Sequence, residues 1–343
     1  KEVSLNSRVG LVECGGTRHR IKMPTRLPDR QRLIYNGKAA ISTQQRGGMT
    51  GLDIQWWARI EWKQTDSDFR MLLEREVPAG FERMNSGLEA DAFMIHIAGE
   101  RFVLKVWPPN SGPDLALQYK LLEALFRQGT AVSKPIARGT DERNRQVLLT
   151  EYGGVPVRRL NQEKLARMAE ILIEIHGRSP AIEKEIPLPR REFAAHFFPG
   201  INDHPDLKDA LVRLLEAAPD KQQCLIHGDY HMENILELGD RLTVIDWTNI
   251  QLGDPRYDMA WSTVLMRIYA GRKHGSCYRS ELLARSRISV EELEAFEAIA
   301  CLRWMLLNRT AGLPKKGDTV SQVRSLLAEN RFLNGCRLLP PGE

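Results

Sequence analysis

Two runs of β-forming, mostly apolar residues fill positions 92–97 and 101–106, and Ala98-Gly99-Glu100 between them predicts a tight turn joining two strands. The period then lengthens. Leu115, Tyr119, Leu122 and Leu125 recur at helical spacing from about Asp114 to Gln128, and Gly129 supplies the stop. Residues 147–150 read as a buried strand running through Glu151 and Tyr152 into Gly153-Gly154. Leu165, Met168, Leu172 and Ile175 mark an amphipathic helix that ends at His176-Gly177, where His176 is expected to act as a capping residue. Further on, residues 224–226 form an apolar strand, and residues 235–238 and 242–245 form a hairpin through Gly239-Asp240. The remainder is helical. Pro255 suits a first turn, and Ser289-x-x-Glu292 is a capping box ahead of the stripe Leu293, Phe296, Ala300 and Met305. Strands therefore dominate the first half and helices the second, an α/β (α+β) chain.

With 343 residues, 42% of them apolar, the chain is long enough to bury two packed cores. It has no run of 18 or more apolar residues, which argues against a membrane-spanning helix. Its five cysteines are scattered and never fall in a Cys-x-x-Cys pair, so neither a disulfide framework nor a structural zinc site is expected, and a reducing cytoplasm is the simplest compartment. The opening residues show no apolar signal core. The net charge of +5 is uneven: residues 1–60 carry eleven Lys or Arg against four Asp or Glu, among paired glycines and prolines. Such a charge would suit a nucleic-acid arm, but no recognition motif accompanies it, and a solvated extension is the expectation. Trp56, Trp57 and Trp62 imply that the end of this segment packs on something.

The chemistry concentrates between residues 225 and 260. His227-Gly228-Asp229-x-His231-x-x-Asn234 follows a strand, Ile245-Asp246-Trp247 ends the hairpin, and Gly253-Asp254-Pro255-x-x-Asp258 opens a helix. The hairpin folds the chain back so that Asp246 comes beside Asn234, and two oxygen ligands from adjacent strand ends suit Mg²⁺. His227 and His231 are four apart, but in a loop that spacing defines no common face, and no third ligand follows at zinc-site spacing. Lys105 interrupts an apolar strand and, since an unpaired buried ammonium is costly, it requires an anionic partner.

These motifs resemble the aminoglycoside phosphotransferase and choline kinase superfamily, from about residue 81 to about 262. The resemblance implies a two-lobed protein-kinase-like fold, with a small β-rich lobe over 76–154 and a larger, mainly helical lobe over 155–343. A basic, loop-rich extension over 1–75 precedes them. It implies ATP and Mg²⁺ as cofactors and a small-molecule alcohol as acceptor, with no membrane or nucleic-acid partner. Asp229 would be the catalytic base, and Asn234 and Asp246 the metal ligands. Lys105 would contact the nucleotide phosphates, Ser86 and Gly87 would belong to the loop covering them, and Glu151, Tyr152 and Gly153 would hold adenine. His227, His231, Asp254 and Asp258 would support the site. Gln118 departs from the pattern, standing where the Lys-pairing Glu is usual. Either it replaces that Glu as a neutral partner or Lys105 leans on phosphates alone. The acceptor would be an antibiotic such as a macrolide or aminoglycoside, or a metabolite of the choline, homoserine or sugar type. A catalytically weak nucleotide-binding module is the rival from another class. From Trp261 onward thirteen Lys or Arg face eight Asp or Glu, which favours a neutral, singly charged or anionic acceptor over a polycation.

Overall fold

The computed structural model describes residues 54–84, 90–109, 113–315, 317–334, 336 and 338. Ser86 and Gly87, expected over the nucleotide phosphates, lie outside the described residues, as do residues 1–53. The first half builds a six-stranded sheet ordered β1-β5-β6-β4-β3-β2. Its strands are β1 (Glu61–Thr65), β2 (Phe81–Arg83), β3 (Asp91–Ile97), β4 (Glu100–Val106), β5 (Pro135–Thr140) and β6 (Gln146–Glu151), and every pairing is antiparallel. The expected turn joins β3 to β4, with Ala98 and Gly99 both at positive φ.

Side chains alternate across a strand, so β4 divides its residues between two layers. Phe102, Leu104 and Val106 enter one buried cluster together with Phe93, Ile95, Val147 and Leu149. The same cluster holds Trp56 and Trp57 of α1 (Ile54–Ala58) and Phe69 of α2 (Ser67–Arg75), whose ring lies 4.7 Å from Phe102. The tryptophans do pack, and they pack on this sheet: the indole of Trp56 donates to Asp141 at 2.9 Å and Trp57 meets Trp62 edge-on. Residues 54–75 are therefore built into the sheet layer, whose first strand begins at Glu61, well before the boundary at residue 76 expected from the motifs. Short-range signals could not reveal this, because β1 finds its partner β5 some seventy residues later.

Lys105 falls on the opposite face, toward α3 (Leu115–Arg127) and the second half of the chain. Asp114 caps α3, accepting from the N–H groups of Ala116 and Leu117. Leu115, Tyr119, Leu122 and Leu125 of α3 are buried in one continuous core with Leu148 of β6 and the later helices. After β6 the chain crosses as β7 (Val155–Pro156), which joins the hairpin strands β9 (Ile235–Leu238) and β10 (Arg241–Val244) in the order β10-β9-β7. Val244 N–H also donates to the Ala131 carbonyl at 2.7 Å, so the hairpin is tied to the first half on both sides. A two-stranded unit pairs β8 (Cys224–Ile226) with β11 (Gln251–Gly253).

The helices of the second half are α4 (Gln162–Gly177), α5 (Ser179–Glu185), α6 (Phe193–Phe197), α7 (Pro205–Ala217), α8 (Pro255–Ala270), α9 (Arg272–Arg285), α10 (Val290–Ala311) and α11 (Thr319–Glu329). α8 packs against both α9 and α10, and α4 packs against α9. The capping box opens α10 as expected: Ser289 Oγ accepts from Glu292 N–H, and the Glu292 carboxylate accepts from Ser289 N–H. No helix among the described residues is long and apolar enough to cross a membrane.

Candidate active site

The loop from β8 to β9 is held from behind by one carboxylate. Asp258, fully buried one turn into α8, accepts from the backbone N–H groups of His227 and Gly228, both at 2.7 Å. His176 adds a third contact at 3.2 Å. His176 thus differs from the expected helix cap: its imidazole reaches across from α4 to the carboxylate that shapes the loop. At Gly228 the backbone turns through φ 77°, and a Cβ would stand 2.8 Å from Asn249 Cβ and 2.9 Å from its carbonyl oxygen, so only glycine fits. Asp254 caps α8, accepting from Arg256 N–H and from Lys221 N–H, each at 2.9 Å, and its carboxylate is also gripped by the Arg256 guanidinium.

His227 is wholly buried. Its Nδ1 accepts from Asp229 N–H at 3.2 Å, which leaves Nε2 to carry the hydrogen and donate to the Ile245 carbonyl at 3.0 Å. Burial pushes its pKa below the usual imidazole value, against the opposing pull of Asp258 and Asp229. The ring meets Trp247 edge-on at 4.8 Å between centroids, and that indole is itself buried as a packing residue. One neutral imidazole therefore ties the loop to the end of β10.

Asp229 is 4% exposed. Its Oδ1 accepts from the indole N–H of Trp261 at 2.9 Å, and its Oδ2 lies 3.5 Å from His231 Nε2. His231 caps the short turn over Met232–Asn234, its Nδ1 accepting from Glu233 N–H. The Asn234 side-chain nitrogen donates to the Asp229 carbonyl at 3.0 Å and lies 3.1 Å from His231 Nε2, so the carboxamide oxygen is the atom left to serve as a ligand. Ile245 N–H donates to the Asn234 carbonyl at 2.9 Å, and the hairpin delivers Asp246 beside Asn234.

Asp246 sits at φ 69°, ψ 61°, a left-handed conformation that a residue with a Cβ adopts only at a cost of about 1–3 kcal/mol and that tends to cluster at functional sites. Lys105 Nζ approaches its Oδ1 at 3.7 Å. The anion that Lys105 requires is thus found, but from neither source expected at Gln118. That side chain is buried on α3 with its Oε1 unpartnered, and Asp246 supplies the charge instead. Oxygen donors from one carboxylate and one carboxamide fit a hard cation such as Mg²⁺, which takes few protein ligands and completes its shell with water and phosphate. Among the described residues no three His, Cys, Asp or Glu side chains form a metal cage on their own.

At the crossing between the two halves, Glu151 N–H donates to Lys134 and Tyr152 N–H to Arg101, and the Arg101 guanidinium lies 4.4 Å over the Tyr152 ring. A Cβ on Gly153 would press at about 3.1–3.2 Å on Thr243, Leu236 and Ser133, which brings the crossing close over the hairpin. Two residues went unmarked in the sequence. Trp261, one helical turn beyond Asp258, shares that residue's face of α8; this spacing is the signal that could have found it. Arg303 is a lone cation in an apolar stretch of α10, 2% exposed, and its Nη1 donates to the Gly228 carbonyl at 3.2 Å.

One short loop and hairpin thus bring Asp229, Asn234 and Asp246 together, with the strand lysine Lys105 facing the last of them. The chain belongs to the phosphotransferase enzyme family (APH), whose model matches residues 80–288. No curated protein sequence matches it. Solved structures with the same kinase-like fold include a thermostable mutant of the aminoglycoside phosphotransferase APH(4)-Ia in ternary complex with ADP and hygromycin B. It is 17% identical, covers 75% of this chain and 95% of its own, and has a TM-score of 0.55. The choline kinase LicA from Streptococcus pneumoniae is 17% identical over 75% of this chain and 94% of its own, with a TM-score of 0.51. The spectinomycin phosphotransferase APH(9)-Ia, in complex with ADP and spectinomycin, is 14% identical over 81% and 95%, with a TM-score of 0.52. All three are small-molecule phosphotransferases.

Proposed function

We propose that this protein transfers the γ-phosphoryl group of ATP to a hydroxyl of a small molecule, with Mg²⁺. The observation that carries the reading is the juxtaposition of Asp229, Asn234 and Asp246 with Lys105 paired to the last of them. Asp229 orients the acceptor hydroxyl and receives its proton. Asn234 and Asp246 supply the metal's protein ligands, and Lys105 faces the nucleotide phosphates. Adenine would lie against the Glu151 to Gly153 crossing. Mg²⁺ held by Asn234 and Asp246 would supply charge neutralisation for the phosphoryl group in transfer. Positioning and charge neutralisation do the rest, so no covalent nucleophile is needed.

The acceptor is a neutral, singly charged or anionic alcohol, such as a macrolide or a metabolite of the choline, homoserine or sugar class, in preference to a polycationic aminoglycoside. A pocket for a polycation needs uncommitted carboxylates. The acids clustered on α10 are already paired: Glu292 with Arg256 at 3.7 Å, Glu297 with Arg279 at 2.8 Å, and Glu291 and Glu294 both with Arg331. The second reading, a nucleotide-binding module with little turnover, draws on the neutral Gln118, but the Lys105–Asp246 pair weighs against it. ATP consumption measured over a panel of such alcohols tests the reading, with kanamycin-type compounds included. Turnover of at least one alcohol, falling by about 10²–10⁴-fold in Asp229→Asn while nucleotide binding persists, is the expected outcome. Near-normal turnover in that variant would remove Asp229 from its role.

A further inference from the structure

Asp229 is also held by a residue of α8. Its Oδ1 accepts the Trp261 indole N–H at 2.9 Å, both residues are buried, and the guanidinium of Arg303 lies 4.2 Å over the Trp261 ring. Arg303 is itself almost fully buried, and among the described residues it forms no ion pair with a carboxylate. Its charge rests on the aromatic faces of Trp261, Phe197 and Tyr257, and its Nη1 reaches the Gly228 carbonyl and the Tyr257 hydroxyl. A buried cation left without a counter-ion is costly, and one indole separates this one from the Asp229 carboxylate.

We propose that Trp261 and Arg303 are positioning residues for Asp229, fixing Oδ1 so that Oδ2 is the oxygen that takes the acceptor's proton. The proposal rests on the phosphotransfer reading above. An aspartate carboxylate turns easily about its last torsion, whose wells are broad and roughly two-fold, so a single directional bond to one oxygen decides where the other points. A cation over the indole face polarises its N–H and strengthens that bond. Arg303 also ties Gly228, the residue before Asp229, so the loop backbone and the carboxylate are set by one side chain. In the reaction the acceptor's O–H proton passes to Oδ2 as its oxygen bonds to the γ-phosphorus, and the bond to the departing nucleoside diphosphate breaks.

Two substitutions separate hydrogen bonding from packing. Trp261→Phe keeps a six-membered ring but removes the N–H, whereas Trp261→His loses bulk yet carries an N–H at the ring position of the indole nitrogen. A purely structural role predicts that the His variant is the worse of the two in both melting temperature and turnover. Positioning predicts the reverse order in turnover. In Trp261→Phe, kcat falls by about 10- to 100-fold, the loss of one hydrogen bond to a charged group, with AMP-PNP affinity kept. Trp261→His stays at least about fivefold faster than Phe despite a lower melting temperature. The assay uses the alcohol turned over in the panel, or water as acceptor in MgATP hydrolysis if no alcohol serves. Arg303→Lys, which keeps the charge but loses the flat stack, is expected to lower kcat with AMP-PNP binding retained, and it decides the question if the Phe variant does not fold. A parent protein that turns over while Trp261→Phe, or in its place Arg303→Lys, keeps more than half of kcat overturns the proposal alone. A parent that neither phosphorylates an alcohol nor hydrolyses MgATP overturns the phosphotransfer reading and the proposal with it.

Discussion

Removing the Asp258 carboxylate should cost this protein several kcal/mol, because two backbone donors and a histidine depend on it. The N–H groups of His227 and Gly228 each donate to it at 2.7 Å in a fully buried setting, and His176 lies 3.2 Å away. A buried donor stripped of its partner loses about 1–3 kcal/mol. Two such donors put Asp258→Ala at about 4 kcal/mol, before any gain from water entering the space. At about 1.5 °C per kcal/mol for a chain of this size, the melting temperature would drop by about 6 °C. Asp258→Asn keeps one acceptor oxygen but turns an NH₂ toward the other donor, so about half of that loss or more is expected. Differential scanning calorimetry of the three proteins, with the parent's transition checked for cooperativity, measures this. The same variants should lose turnover, since the N–H groups they orphan set the turn at Gly228 that presents Asp229. An Asp258→Ala protein melting within ~3 °C of the parent would refute the reasoning, since it would mean that the loop finds other acceptors.

Asp246→Ala should weaken Mg²⁺-dependent nucleotide binding by at least about tenfold, read by titrating AMP-PNP with and without Mg²⁺; binding in the parent that ignores Mg²⁺ would count against the proposed metal site. Lys105→Met should impair turnover, whereas Gln118→Glu should be tolerated or mildly activating because it offers Lys105 a second carboxylate beside Asp246, as steady-state kinetics on the two variants will tell. His227 is buried with its pKa depressed, chiefly by burial, so the unfolded chain takes up a proton more readily than the folded one. Its contribution is present above the unfolded value of about 6.5 and is lost as pH falls below it toward the depressed folded value. Melting temperatures between pH 7.5 and 5.5 should therefore fall more steeply in the parent than in His227→Gln.

Much of the local structure was legible in the sequence because its causes are local. Asp114 and Gly129 bracket α3, Ser289 and Glu292 open α10 with reciprocal bonds, and the turn at Gly239 brings Asp246 beside Asn234. Each depends on contacts a few residues apart, where side-chain type and spacing decide the outcome. The apolar run of β4 likewise singled out Lys105 as a lone cation that needs an anion. Which anion, though, was decided by the way the hairpin docks under the sheet, with Asp246 arriving from 141 positions further along the chain while Gln118 stays buried on its helix. The packing of Trp56 and Trp57 on the sheet, the carboxylate of Asp258 beneath the loop from β8 to β9 and the stack of Arg303 on Trp261 share that property. All join residues far apart in the chain, whose proximity is set by close packing of whole elements rather than by any pattern within one of them.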